Sequence, residues 1–407
     1  MKPGYTFLFV TLLTGALLTD CGQSVSTKQT EVIASDTVLS QKDSGVMEPV
    51  APAPPVPADK ELNHLAALLA GMDSMKDHTH PTWDPVFIRK FSQRIALKMR
   101  KMRQSRLTKM REWNQASMAR NSQSGAAFAF YPFSGGDLIH LAWLYPDAEN
   151  YFLVAREDVG YIPDLLGADE EFVFRYLRDI DTVLRDIYKR SYFITKNMQE
   201  DTKRKTLING MLPIIVWTIA QLDYEIISID YFHVSDSAEK NYLKAYQKKR
   251  PPHGVDIRVR ENGSDKIRNI TYLSCDISDR GFKRRPRFHA FLESSVPSGC
   301  NSFVKSASYL LHYSSFDRIR RLILSKSSYH IQDDTGIPYQ YFDPNAWSME
   351  LHGRYHKPIS AFSPGLFQKD LKAAYADPAL HKGDLTFSLG YHWSTRKQNQ
   401  MIAIKNK

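Results

Sequence analysis

Four side chains in this 407-residue chain have the types and neighbours for chemistry: Asp137, Lys305, Asp333 and Asp334. Asp137 closes the turn Ser134-Gly135-Gly136-Asp137, which follows the apolar run Ala126 to Phe133. Such a turn can offer a ligand backbone N–H groups and one carboxylate. Asp333 and Asp334 lie in Gln332-Asp333-Asp334-Thr335-Gly336, after the strand-like Tyr329 to Gln332. Two adjacent carboxylates cannot both turn inward as anions without a partner. Lys305, Arg354 or a metal ion would supply one. The catalytic candidates are therefore Asp137, Asp333, Asp334 and Lys305. The ligand-binding candidates are Ser134, Gly135, Gly136, Asp137, Gln332 and Arg354. The competing account is structural, because Asp also stabilises turns and caps helices with no ligand present.

Other chemistry finds less support. Asp137 and His140 stand three residues apart on an expected helix, a spacing open to an acid–base or metal pair, but Asp137 already occupies the cap position. His64, His78 and His80 lack a neighbouring carboxylate or cysteine and read as surface histidines, so no metal site is assigned. No G-x-S-x-G, H-E-x-x-H or G-x-x-x-x-G-K occurs. Glu157, placed after a glycine turn and a second strand, imitates a ribose site, but the turn is not G-x-G-x-x-G. No cofactor is indicated.

The elements that must position these residues form an α/β pattern. Ala126 to Phe133 reads as a buried strand, Leu138, Leu141 and Leu144 as a helix stripe, and Asn150 to Arg156 as a second strand. Strand, glycine turn, helix and strand outline a βαβ unit, whose first turn is a natural ligand position. Asp169 to Tyr192 and Leu207 to Leu222 read as helices, and Tyr224 to Val234 as a strand. Val255 to Ile277 carries Asn262-Gly263 between alternating runs, a strong hairpin signal. Asn301 to Tyr313 and Ser315 to Ser325 read as helices, Tyr339 to Phe342 and Ser348 to Tyr355 as extended, Leu366 to Tyr375 as a helix and Leu385 to Trp393 as the final strand. The fold class is α/β: a mixed sheet with flanking helices in a single integrated domain. Its core spans residues 126–395, with a helical, basic segment at 61–125 and a tail at 396–407.

The start of the chain points out of the cytoplasm. Residues 1–20 carry Lys2 and then the apolar stretch Tyr5 to Leu18, too short for a comfortable membrane span, as in a secretory signal peptide. Leu18-Thr19-Asp20-Cys21 looks like a lipoprotein cleavage box, making Cys21 the lipidation candidate; Asp20 departs from the small residue usual there. Cleavage after Ser24, giving an unanchored product, is the alternative. Residues 21–60 are polar and then proline-rich, as a disordered tether would be. With Cys21 modified, Cys275 and Cys300 are the remaining thiols, and an oxidising compartment leads us to expect a disulfide between them.

Composition limits the partners. Hydrophobic residues make up 43% and charged residues 24%, enough apolar content for a sizeable core. A formal charge of +10 favours anionic partners. Eleven Lys or Arg and the single acid Glu112 lie between Arg89 and Arg120, where Phe87, Phe91, Ile95, Met99, Met102, Met110 and Trp113 mark an apolar helix face. The helix at 87–118 would either pack with a solvated basic face or contact anionic lipid or glycan. Nucleic acid is not expected at an exported address.

Several segments resemble a family of uncharacterised bacterial exported proteins and lipoproteins. They are Leu68-Leu69-Ala70-Gly71, FYPFSGGD (Phe130 to Asp137), YFLVAREDVG (Tyr151 to Gly160) with Pro163-Asp164, FVKSASYLLH, QDDTGIPYQYF, HGRY (His352 to Tyr355) and LGYHW. In that family the first motif usually reads Ser-Gly-Pro-Asp and the second Gly-Leu-Glu-Pro; here Gly136 replaces the proline and Ala155-Arg156-Glu157-Asp158 stands for the second. The resemblance covers about residues 60 to 395 and implies one domain, but it carries no activity with it. The sequence thus points to an exported, lipid-anchored protein of the bacterial cell envelope, with a ligand cleft at the Ser134–Asp137 and Gln332–Gly336 turns. The alternative is an envelope hydrolase using Asp137, Asp333 or Asp334 as acid–base or metal-binding carboxylates.

Overall fold

Two short apolar strands set the centre of the sheet: β1 (Phe128–Pro132) and β2 (Asn150–Ala155), buried on both faces almost throughout. Strands covered on both sides by helices read as continuous apolar runs. The structure, a computed structural model, describes residues 56–72, 83–122, 125–193, 206–392 and 398–406. Residues 1–55, which include Cys21, and also His78 and His80 lie outside them.

Eight further strands are described: β3 (Tyr224–Val234), β4 (Lys240–Tyr242), β5 (Gly254–Glu261), β6 (Ile267–Ser274), β7 (Cys300–Val304), β8 (Ser327–Gln332), β9 (Trp347–Gly353) and β10 (Asn399–Lys405). They form one mixed sheet in the order β4-β3-β5-β6-β2-β1-β7-β8-β10-β9. Its centre, β6-β2-β1-β7-β8, is parallel, and the flanking pairs are antiparallel.

Helices cover each face. On the first lie α1 (Lys60–Ala70), α2 (Pro85–Met102), α3 (Thr108–Arg120), α4 (Leu138–Leu144), α5 (Glu170–Val183), α6 (Arg185–Arg190) and α7 (Leu212–Gln221), packed on Tyr131, Tyr151 and Leu153. On the second lie α8 (Asp279–Arg284), α9 (Pro286–Ser295), α10 (Asp317–Lys326) and α11 (Lys369–Ala374), with Phe130, Phe152 and Val154 in the same cluster. Alternate residues of β1 and β2 thus feed opposite cores, as the pleat requires. The protein is an α/β single domain, and the expected βαβ start and β5–β6 hairpin are both present.

The chain moves from β1 to β2 and β6 by crossovers on the first face, and from β6 past β1 to β7 and β8 by helices on the second. The order therefore reverses between β1 and β7. Such a topological switch point is where open α/β sheets hold ligands, at the carboxyl ends of the strands.

Several expectations need correction. Asn301 to Tyr313 is not a helix: Cys300–Val304 is β7, buried at every position, followed by a 3-10 turn at Leu310–His312. A short, fully buried strand has no period to separate it from a helix. Tyr339 to Phe342, expected as extended, contains a 3-10 turn at Tyr339–Tyr341. No strand is found within the described residues of Leu385 to Trp393. The last strand is Asn399–Lys405, inside the stretch read as a tail, and it pairs with β8 and β9. The basic segment 61–125 is part of the domain, with Leu68, Phe91, Ile95, Met102 and Met110 in its first-face core.

Cys275 and Cys300 are buried free thiols rather than a disulfide. Cys275 follows the carboxyl end of β6 while Cys300 begins β7, with β2 and β1 between them. Three strand spacings of about 4.8 Å already exceed the roughly 7 Å limit for bridged Cα atoms.

The interior position of β10 is directly testable. Ending the chain at Gln398 would strip β8 and β9 of their shared partner and expose an apolar edge. We expect an aggregating product without a cooperative thermal transition by circular dichroism; a soluble product that melts like the full chain would contradict this placement.

Candidate functional site

The first turn starts with backbone in an unusual region. Phe133, just past β1, has φ 64° and Gly135 φ 53°. A side chain at Gly136 would press within 3.1 Å of Ile214 on α7, so glycine permits that close approach. Ser134 Oγ donates to the Val154 carbonyl at 3.2 Å, tying the turn to β2. Asp137 then caps α4, accepting from the His140 backbone N–H at 3.5 Å.

The Asp137 carboxylate is also the centre of a buried ion network. It meets Lys305 Nζ at 2.6 Å and His140 Nδ1 at 2.6 Å, and accepts from the Tyr131 hydroxyl at 3.4 Å. Asp137 and Lys305 are each 2% exposed. Lys305 follows β7 directly, and its ammonium also donates to the Ser191 carbonyl. The pair thus joins the ends of β1 and β7 across the switch point.

The second turn arrives from β8. Asp333 Oδ2 accepts from the Ser306 N–H at 2.9 Å, and its Oδ1 from the Thr335 N–H at 3.1 Å and hydroxyl at 2.5 Å. Asp334 accepts from the Tyr309 hydroxyl at 2.6 Å and Asn399 Nδ2 at 3.0 Å. The adjacent carboxylates thus take different partners, so one shared cation is not required. Gln332 braces the turn from inside, accepting from the Ile337 N–H at 2.7 Å and donating to its carbonyl at 2.6 Å. The loop these groups hold is strained: Ser306, Ser308 and Tyr309 have φ 52°, 53° and 57°. Each such non-glycine residue costs on the order of 1–3 kcal/mol and persists only where its surroundings over-determine it.

A second cation enters from an element that periodicity does not reveal. Between α2 and α3 the helix makes a π turn, Arg103–Leu107. Arg106 on it is buried and donates to the carbonyls of Ile187 and Ser388, both at 2.9 Å. Burial pushes its guanidinium down to about 10, opposed by the charge of Asp137. π turns inside α-helices recur at functional positions. The sequence did hold a signal: Met102, Arg106 and Met110 are spaced by four, which puts a charge on the apolar stripe.

These surroundings decide the protonation states. Burial pushes His140 down to about 4 against the pull of Asp137, so its ring is neutral at pH 7. Burial alone would raise Asp137, but the charges of His140 and Lys305 outweigh it and hold its pKa below the usual carboxylate value. With His140 neutral, Lys305 is the partner that does this at pH 7. Burial lowers the Lys305 ammonium, with Asp137 opposing. Burial and the charge of Asp334 push Asp333 up to about 6. His140 Nδ1 donates to Asp137, leaving Nε2 as a buried acceptor with no hydrogen-bond partner. A carboxylate orienting a neutral imidazole is general-base geometry, but this ring is fully buried.

The structure therefore brings together Asp137, Lys305 and Asp333, with Asp334 on the same turn, and adds His140, Arg106 and the Ser306–Tyr309 loop. It does not bring Arg354 there: that guanidinium forks onto Asp384 at 2.8 and 3.1 Å at the surface. Ser134, Gln332 and the four chemical candidates are buried where an open cleft was expected. The basic helix is also partly engaged inside the protein. Lys98 and Arg94 meet Asp181 at 2.6 and 3.3 Å, Arg120 meets Glu350 at 2.8 Å, and Arg111 stacks 4.1 Å from the Trp143 ring.

Two expectations follow. Lys305→Met leaves Asp137 buried and unpaired and should cost about 3–5 kcal/mol in denaturant unfolding. The double variant Asp137→Asn with Lys305→Met keeps a capping side chain and should lose less than Lys305→Met alone; additive losses would show that the two groups do not act as a pair. The second concerns pH. His140 and His330 are both held near 4 by burial, while unfolded histidine titrates near 6.5. The unfolded state therefore gains protons first as pH falls, and stability drops between about 6.5 and 4, by about 1.4 kcal/mol per pH unit for each histidine. Asp333, raised to about 6, opposes this by one proton, because it binds its proton in the folded state before the unfolded chain does. Urea midpoints at pH 7, 6 and 5 measure the slope, which His330→Gln should flatten.

Compared with protein-family models, with curated proteins and with solved structures, the chain matches none.

Proposed function

We propose that this chain is an exported protein, tethered to a bacterial envelope membrane by lipid on Cys21, whose domain binds a ligand at the carboxyl ends of its parallel strands. The observation that carries the ligand reading is the meeting of the two turns, about two hundred residues apart in sequence, around the Asp137–Lys305 pair at the switch point. An ion pair and strained backbone are both costly to bury, and apolar packing would be the cheaper way to close a sheet. Their position is the one where doubly wound sheets recognise ligands. The leader pattern at residues 1–20, the cysteine after it and the resemblance to exported lipoproteins support the address. Arg89, Lys90, Arg100 and Lys101, exposed along α2, are the charges through which that helix would meet anionic lipid or glycan.

The hydrolase reading would use Asp137, Asp333 or Asp334 as acid–base or metal-binding groups. Its weakness is access: each is at most 3% exposed, and their carboxylates are engaged in bonds within the protein. Binding needs only the partly exposed loop positions Phe133, Gly135, Ser306 and Ser308 rather than the buried carboxylates, and we favour it for that reason.

Two measurements on the membrane-extracted protein test the proposal. Its intact mass should fit a chain beginning at a triacylated Cys21; a chain beginning after Ser24 would remove the tether. Hydrogen exchange with and without purified peptidoglycan fragments should protect residues 133–137 and 305–309. Protection confined to other segments would move the ligand site elsewhere.

A further inference from the structure

The same carboxyl edge is open over β2 and β6. A cavity of about 310 Å³ lies there, lined by Arg156 beyond β2, Ser274 and Cys275 at the end of β6, Arg284 at the end of α8 and Arg285 between α8 and α9. A second cavity of about 340 Å³ shares Arg284 and Arg285 and reaches Arg287. The two adjoin at Arg284 and Arg285, which line both and make one groove of them. Both arginines are exposed, and neither has a carboxylate ion-pair partner among the described residues. Arg287 is paired with Asp236. Asp158 and Asp276 line the first cavity, and Asp276 is engaged with the Ser278 N–H at 3.1 Å.

One buried and one half-buried histidine lie beside these arginines. His233 and His253 stack edge to face at 4.5 Å, and His253 lies 5.0 Å from Phe288, which lines the first cavity. His233 is 6% exposed, yet neither ring nitrogen has a hydrogen-bond partner. Burial, then Arg250 and Arg287, lower its pKa. Burial, His233, Arg287, Arg285 and Arg250 together push His253 down to about 4. Three arginines therefore act on one imidazole, and a neutral imidazole gives them no counter-charge. Arg287 has Asp236 as its counter-charge, whereas Arg250 and Arg285 have no carboxylate ion pair among the described residues, so an anion is favoured beside them.

We propose that the groove walled by Arg284 and Arg285, with Arg156 and Arg287 at its ends, binds a phosphate group carried by a small molecule or a lipid headgroup. Guanidinium forks match phosphate oxygens bidentately, and several converging forks call for more than one negative charge. Asp158 and Asp276 place the phosphate against the arginine wall, away from the carboxylates. This inference rests on the groove alone and is independent of the buried Asp137–Lys305 cluster.

Calorimetric titration of the full-length, detergent-extracted protein in a phosphate-free buffer tests it. The probes are glycerol 3-phosphate, dihexanoyl phosphatidic acid and, as the zwitterionic control, dihexanoyl phosphatidylcholine. The wild-type protein should bind the first two, and Arg284→Ala with Arg285→Ala should weaken both at least tenfold without lowering the melting temperature, since both side chains are exposed. Tighter binding of the phosphatidic acid assigns the groove to a lipid headgroup; equal binding assigns it to the phosphate of a soluble molecule. Lys357→Ala with Lys369→Ala, both exposed and outside the groove, should leave binding unchanged. The proposal is overturned if neither phosphate probe binds, if the arginine double variant binds like wild type, or if the lysine double variant is the one that loses binding.

Discussion

The ion pair between Asp137 and Lys305 is the interaction on which the centre of this protein turns. At the switch point β1 and β7 lie side by side, and their continuations leave for opposite faces of the sheet. The backbone at both ends must still find partners, since a buried N–H or carbonyl without one costs as much as a lost hydrogen bond. Asp137 meets this need after β1 by capping α4, and Lys305, just past β7, donates to the Ser191 carbonyl at the end of α6. Their attraction then holds the two solutions together. In so dry a place the Coulomb term is large, but so is the cost of leaving water, and only the further bonds from Tyr131 and His140 make the arrangement tenable.

The neighbouring loops depend on this centre. Three non-glycine residues past β7, Ser306, Ser308 and Tyr309, have positive φ, and what holds their loop is a ladder of side-chain bonds from the turn after β8. Asp333 takes the Ser306 N–H, Thr335 the Ala307 N–H, and Asp334 the Tyr309 hydroxyl. Each carboxylate thus serves as a fixed acceptor for its neighbouring loop. Asn399, at the start of β10, closes the network by bonding Asp334 with both its amide groups. The last strand of the chain is consequently coupled to the first turn through four elements in contact. A network of this kind is cooperative, because each bond limits the freedom of the next.

The carboxyl edge is divided by this arrangement. Over β1, β7 and β8 the charges are paired and covered. Over β2 and β6, Arg156, Arg284 and Arg285 are exposed beside the carboxylates of Asp158 and Asp276. The net positive charge of the chain is therefore unevenly used. On α2 and α3 several cations are neutralised against Asp181 and Glu350 or laid on an aromatic face, whereas Arg284 and Arg285 face solvent. Charge that a fold has already engaged attracts partners weakly; charge that it leaves exposed dominates the field at the surface.

Local pattern alone determined a good part of this protein. The βαβ start was legible because β1, the glycine turn and α4 obey rules that act over a few residues: an apolar run, an Asp cap and a period of 3.6. The β5–β6 hairpin was legible from Asn262-Gly263 for the same reason. So were the two turns themselves, whose residue types are unusual wherever they sit. What tertiary structure decided is everything that depends on distant partners. β7 looked like a helix because a five-residue buried strand has no period, and only its neighbours β1 and β8 define it. β10 looked like a tail because its pairing with β8 and β9 is invisible in its own seven residues. Cys275 and Cys300 are close in sequence, but the sheet order sets β2 and β1 between them. The choice of Asp137 over Asp333 as the partner of Lys305 was likewise beyond the sequence, since residue type names a charge but only the fold sets the distance between two of them.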